Sequence, residues 1–317
     1  MRTRKVIDTS VLPSVILFIV FVIINSILSK NFMRASAWIS FLQTVIPILI
    51  ISIGQAVVII GGGIDISVGS TICVVNVIMA TTSSFEGSAL KPVIIGLSAA
   101  IAIGAFNGFL VAKLRTPALL ATFATSFIGN GIALTILPIP GGQVPLSLSN
   151  FYHFKFFNTI PLALIYVVFV LLIWLIWKKS PMGVALYAVG HNKYKAFFSG
   201  IEVYKIQFYT FVFSGFAAGI AGLCISSNIS AGDPRIGSVM TLNSVAACVI
   251  GGISLAGGSG TVIGSIFGAM FIYLILITVM GMNVPVYYQD LVSGIIIVIG
   301  IIIAVYIQKR GRPTKTY

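Results

Sequence analysis

Long apolar runs, separated by short polar clusters, follow one another along almost the whole chain. A helix that crosses the ~30 Å hydrocarbon core of a bilayer needs about 20 apolar residues. Runs of that order lie near 11–28, 39–60, 68–85, 92–112, 117–137, 161–177, 206–227, 241–258, 259–280 and 287–307. The pattern predicts an all-α integral membrane protein of about ten transmembrane helices, read as one domain over 1–317. Where glycines cluster, broken or re-entrant segments are expected; 228–260 is Gly- and Ser-rich, so one segment there is a candidate re-entrant half-helix. The first apolar run has no small-residue cleavage site after it and reads as an uncleaved span.

Composition agrees: 58% of the 317 residues are hydrophobic and 8% charged, against roughly 25% charged in soluble domains. A net charge of +13 would suggest nucleic acid in a soluble chain. In a membrane protein it points instead to basic cytoplasmic loops. With the N-terminus placed inside, the cytoplasmic segments carry Arg2, Arg4, Lys5, Lys113, Arg115, Lys178, Lys179, Lys193, Lys195, Lys205, Lys309, Arg310, Arg312 and Lys315. The outer side carries only Lys30, Arg34, Lys91, Lys155 and Arg235. This asymmetry predicts both termini in the cytoplasm. Two loops exceed ordinary connector length, 138–160 outside and 178–205 inside, and long loops in compact bundles are commonly functional.

The segment "GGGIDISVGS", 61–70, places an acid among glycines between two apolar runs. Each glycine costs a helix roughly 1 kcal/mol against alanine, so Gly61, Gly62 and Gly63 together should end or break the second span. The freed backbone groups cannot be left to hydrocarbon. Asp65 and Ser67 are suited to capping the helix that follows, which contains Gly69. The alternative is that Asp65 faces a pathway or latches a neighbouring helix. A second segment echoes the first. "GGIDISVGS" (62–70) aligns with "GGISLAGGS" (251–259) at five of nine positions, pairing Gly62 and Gly63 with Gly251 and Gly252, and both strings end on Gly-Ser. The second string also contains the pair Gly257 and Gly258. Internal duplication is one reading; chance likeness of glycine-rich membrane segments is the other. Gly104 and Gly108, and the series Gly260, Gly264 and Gly268, have the spacing that lets helices approach closely.

Enzyme chemistry finds little to stand on. There is no phosphate-binding G-x-x-x-x-G-K-[ST]. The two histidines, His153 and His191, fall in loops on opposite sides, and Cys73, Cys224 and Cys248 lack metal spacing and read as buried thiols. No cofactor is expected in this chain. Asp65 is the one acid at membrane depth, whereas proton relays generally use several. Uphill transport would therefore draw its energy from another subunit.

"GHNKYKAFFSG", 190–200, reads as a short helix with its own stops. Asn192 is a good N-cap and Gly200 a good C-terminal stop. About two turns are unstable alone. Tyr194, Phe197 and Phe198 supply apolar surface for a partner; resting on lipid, with Lys193 and Lys195 on headgroups, is the other reading.

Four blocks carry a family resemblance. "GGGIDISVGS" resembles the G-G-I-D-L-S-V-G-S segment of ribose/galactose/xylose-type permeases of ATP-binding-cassette (ABC) importers, within the branched-chain amino acid/monosaccharide permease superfamily. "AVGHNKYKAFFSGIEV" (188–203) is similar to their cytoplasmic A-x-G-G-N-x-x-A-A-x-x-S-G-I-x-V. "VIGGISLAGGSGTVIGSIFGAM" (249–270) looks like their second glycine block, and "LRTPALLATFAT" (114–125) like their turn into the fifth span. The blocks fall in order across nearly the whole chain. The resemblance implies a non-catalytic permease subunit of a bacterial cytoplasmic-membrane importer. It works with a second permease copy or paralogue, cytoplasmic ABC ATPases and an extracytoplasmic solute-binding protein. It also implies that 190–200, through Gly190, Asn192, Ala196, Phe197, Ser199 and Gly200, is the coupling helix. Where the family pattern often has Gly, this chain has His191; where it has Glu-Leu-Asp, this chain has Thr241-Leu242-Asn243.

The polar residues within spans, Gln43, Gln55, Asn76, Asn107, Thr122, Thr125, Ser126 and Asn130, are uncharged. They suit a neutral solute such as a monosaccharide, or else interhelical hydrogen bonding. Arg235, outside, is a candidate for docking the binding protein, or a solvated charge, or a local partner of Asp233. The competing functional classes are a stand-alone facilitator or channel for a small neutral solute and, more remotely, a membrane enzyme.

Overall fold

The computed structural model describes residues 11–311. Arg2, Arg4, Lys5, Arg312 and Lys315, on which part of the charge asymmetry rests, lie outside the described residues, as do both termini. The helices are α1 (Leu12–Leu28), α2 (Ala35–Ile60), α3 (Val68–Thr81), α4 (Leu90–Ala112), α5 (Ala118–Ile136), α6 (Leu146–His153), α7 (Leu164–Lys179), α8 (Pro181–His191), α9 (Lys193–Phe198), α10 (Val203–Ile229), α11 (Met240–Ile250), α12 (Val262–Gly281) and α13 (Val286–Gly311). A two-stranded hairpin, β1 (Lys155–Phe156) and β2 (Ile160–Pro161), completes the described elements.

The protein is an all-α membrane protein, but its helices are unequal. Six of them, α2, α4, α5, α10, α12 and α13, are long and apolar enough to cross a membrane singly. The expected spans 68–85 and 241–258 shorten to α3, of 14 residues, and α11, of 11 residues. At 1.5 Å per residue they reach about 21 and 17 Å, well short of the hydrocarbon thickness. Apolar pattern alone concealed this, because the glycine-rich turn after Ile250 is as apolar as a helix. The α7–α8 pair bends by 82° at Ser180, whose side chain caps α8 by accepting from the Gly183 N–H, with Pro181 at the first helical position.

α2 is the central element, buried from Val45 to Ile60. α10, α12, α11 and α7 pack around it, while α3 and α4 pack against α10, α5 against α3 and α4, and α1 and α13 against α12. Contact between backbones sets these distances. Gly104 of α4 faces Gly215 and the Phe211 carbonyl of α10, where an added Cβ would sit 2.5 Å from that oxygen. Gly108 lies likewise against Phe208. Gly264 and Gly268 place α12 on the Gly251 and Ala247 carbonyls. Gly260 does not belong to this packing series: it precedes α12 with φ +111°.

The outer loop 138–160 is more ordered than its composition suggests. It contains α6 and β1, and is tied down by the Tyr152 hydroxyl, which donates to the Gln43 carbonyl at 2.6 Å, and by paired Gly141 and Gly232 backbones. The three cysteines are buried and unpaired.

Candidate functional site

Two helices end at glycine turns with the same backbone chemistry. At the end of α2, the N–H groups of Gly61, Gly62 and Gly63 donate to the carbonyls of Val57, Ile59 and Val58. At the end of α11, those of Gly251, Gly252 and Ile253 donate to Ala247, Val249 and Cys248. Gly62 and Gly252 adopt φ +81° and +87°, the left-handed stop that glycine alone accepts without strain. The echo in the sequence therefore has a structural counterpart, but one residue out of register. Gly61, not Gly62, corresponds to Gly251. Beyond the stop the register returns, because Asp65 and Ser254 each close a turn onto the N–H two residues ahead, Ser67 and Ala256. The first break simply holds one residue more.

The first break is a buried polar hub. Asp65 is 1% exposed. Its Oδ1 accepts from the Ser67 N–H (2.9 Å) and hydroxyl (2.6 Å), and its Oδ2 from the Ser214 hydroxyl of α10 (2.7 Å). Asn107 of α4 donates to the Ser67 hydroxyl at 2.7 Å. Thr122 of α5 accepts from the Ile66 N–H and donates to the Ile64 carbonyl. With its amide turned to satisfy both ends, Gln55 of α2 donates to the Asp65 carbonyl (3.1 Å) and accepts from the Asp65 N–H (3.3 Å). Four helices thus supply partners to one irregular segment, as burial in a membrane requires.

This geometry revises the capping expectation. Neither Asp65 nor Ser67 caps the first turn of α3 with its side chain. The Gly69 N–H is instead capped by Thr241 of α11, whose Oγ1 accepts it at 3.0 Å and donates to the Ile66 carbonyl at 3.3 Å. Thr241 stands where the resembled permeases often carry Glu, and here a neutral hydroxyl serves. Asp65 closes the preceding turn and latches α10. Gln55, Asn76, Asn107 and Thr122 are all fully buried. Asn76 joins α3 to Ser226, Ala231 and Asp233. Thr125 and Ser126 bond to carbonyls of their own helix. Ser126 and Asn130 are half-exposed, on the open side of α5.

The structure brings three separately noted motifs together. The Gly258 N–H donates to the Ile60 carbonyl, the last of α2, at 2.9 Å. Gly190, near the end of α8, lies against that same carbonyl, and an added Cβ there would overlap it and come within 2.6 Å of the Gly258 nitrogen. Gly257 faces Gly62 Cα and the Gly190 carbonyl. Spacing in the sequence held no sign of this meeting.

Immediately beyond it stands α9, six residues long. Asn192 caps it, its Oδ1 accepting from the Lys195 N–H at 2.9 Å. Gly200, φ +80°, closes it, with the Ile201 N–H reaching back to the Ala196 carbonyl. The Ser199 hydroxyl donates to the Lys195 carbonyl. Ala196 is the buried contact with the body; Tyr194 is 80%, Phe197 65% and Phe198 84% exposed. Burial draws the Lys193 ammonium below its ordinary pKa. On the other loop, Asp233 spends Oδ1 on the Arg235 N–H. Among the described residues the exposed Arg235 side chain makes no ion pair, which leaves the local-partner reading without support.

Long apolar helices, interrupted at two glycine turns that meet in the interior, define a polytopic membrane protein with the discontinuous helices common in transporters. Residues 37–301 match the family described as branched-chain amino acid transport system / permease component, and the chain belongs to that family. It is 30% identical to the ribose import permease protein of Haemophilus influenzae, with 91% of each chain covered. It is equally identical to the ribose import permease protein of Escherichia coli K12, with 92% of each covered. The autoinducer 2 import system permease protein of Yersinia enterocolitica is also 30% identical, over 86% of this chain and 76% of that one. No solved structure matches.

Proposed function

We propose that the chain is the transmembrane permease subunit of an ABC importer for a monosaccharide or similar small neutral solute, with ATP hydrolysis supplied by a partner. The observation that carries this reading is the match to import permeases over nine-tenths of both chains. The interior supports a neutral solute. Asp65, the one buried acid among the described residues, already has partners on both oxygens, so no free charge is offered to an ion.

The ATPase docks on α9. A six-residue helix that leaves three aromatic rings in solvent needs a partner surface. In this reading α9 and both termini lie in the cytoplasm, which the basic loops support, and α1, α3, α7 and α11 add membrane-embedded segments to the six long helices. A second permease copy or paralogue completes the pathway, and a binding protein meets the outer face near Arg235. The chain itself carries no cofactor and no catalytic group.

The test is co-purification and uptake. Phe197→Asp should abolish capture of the cognate ATPase while the permease keeps its melting temperature. Proteoliposomes containing permease, ATPase and binding protein should accumulate the sugar only with ATP. Equilibration of the sugar by the permease alone would establish the facilitator instead.

A further inference from the structure

We propose that Gly190 is a positioning residue that conveys movement of α9 to both helix breaks at once; this rests on the reading of α9 as the ATPase docking helix. α9 has little hold of its own on the body, with only Ala196 buried. It is joined through Asn192 to the end of α8, and the end of α8 is where Gly190 meets the breaks. The Ile60 carbonyl would be an orphan at the end of α2, yet it receives the Gly258 N–H from the second break. Gly190 lies on that bond, Gly257 lies on both Gly190 and Gly62, and Gly258 lies on the backbone of His191. Three chain segments therefore touch backbone to backbone. No side chain stands between them to rotate aside, so a displacement of α8 reaches the ends of α2 and α11 together. Close packing transmits small shifts in this way.

The same geometry explains the left-handed glycines. Gly62, Gly257 and Gly258 have φ of +81°, +84° and +70°, which bends each turn tightly enough for the carbonyl and amide to face one another. The hydroxyl of Tyr187, one turn before Gly190, adds a contact to the Gly260 carbonyl at 3.4 Å.

Hydrogen–deuterium exchange on the assembled permease–ATPase complex tests the proposal. A nonhydrolysable ATP analogue should change amide protection in segments 57–66 and 250–262 together. Gly190→Ala should keep the ATPase bound but lose the joint change, and uptake should fall roughly tenfold, equivalent to about 1.4 kcal/mol. Should that variant fail to fold, inserting two glycines after His191 leaves the junction and α9 intact and slackens only their link. It should likewise bind the ATPase and lose the joint change. A wild-type complex in which nucleotide alters neither break, or only one, overturns the proposal while leaving α9 docking intact. Undiminished ATPase binding by Phe197→Asp overturns the docking reading, and this proposal with it.

Discussion

The two helix breaks begin alike and finish differently. Each ends its helix with the same three backbone hydrogen bonds and one left-handed glycine. After that, the first break recruits side chains from α2, α4, α5, α10 and α11. The second relies on backbone. Its Ser254 closes a local turn, Leu255 is 51% exposed, and Gly257, Gly258 and Gly260 all adopt positive φ. The same opening can thus serve two purposes. One break is fixed by a polar side-chain network drawn from five helices, the other left to glycines that accept more than one conformation.

Asp65 and Ser254 occupy the same turn position in the two breaks, so substituting them measures the difference directly. Asp65→Leu should have the largest effect. It strands the Ser67 and Ser214 hydroxyls and the Ser67 amide, at about 1–3 kcal/mol for each buried group left unpaired. Thermal melting in detergent should show a large fall in Tm. Asp65→Asn should recover most of it, since one oxygen still accepts from Ser67 and the amide donates to Ser214. An Asn variant that melts normally yet does not transport would show that the charge itself is used.

Thr241→Val comes next. It removes the acceptor for the Gly69 N–H and the donor to the Ile66 carbonyl while keeping the shape, and should cost about 1–3 kcal/mol. Thr241→Ser, which keeps the hydroxyl, should stay near wild type in the same melting assay. Ser254→Ala should be the smallest, within about 0.5 kcal/mol, as expected for a half-exposed turn. If Ser254→Ala destabilised as much as Asp65→Leu, the contrast between a fixed and a pliant break would fail.

Much of this was legible in the sequence because local chemistry is local. Glycine clusters mark helix ends, which predicts the break at 61–63; the break at 251–252 falls inside the span expected over 241–258, and only its echo of 62–70 hints at it. Asn192 and Gly200 bracket α9 as their residue types predict. The lengths of α3 and α11 were not legible, since hydropathy averages over a turn as readily as over a helix. The partners of Asp65 were not legible either: Ser214 lies 149 residues away, and serine in a membrane helix usually bonds to its own backbone. Thr241 looked like the loss of an acid; only the neighbouring Gly69 amide shows what its hydroxyl does. The meeting of Gly62, Gly190 and Gly258 depends on how α2, α8 and α11 pack, which no single segment encodes.

The wide sequence separations within the first break also govern how the protein can be made. Ser214 and Thr241 follow their partners Asp65 and Gly69 by 149 and 172 residues. At about 5–20 residues per second, the ribosome needs roughly 7–35 s to supply them. Throughout that interval the nascent α2–α3 segment carries an unfinished polar turn. Completion of this turn therefore comes late in synthesis, once both α10 and α11 have been made.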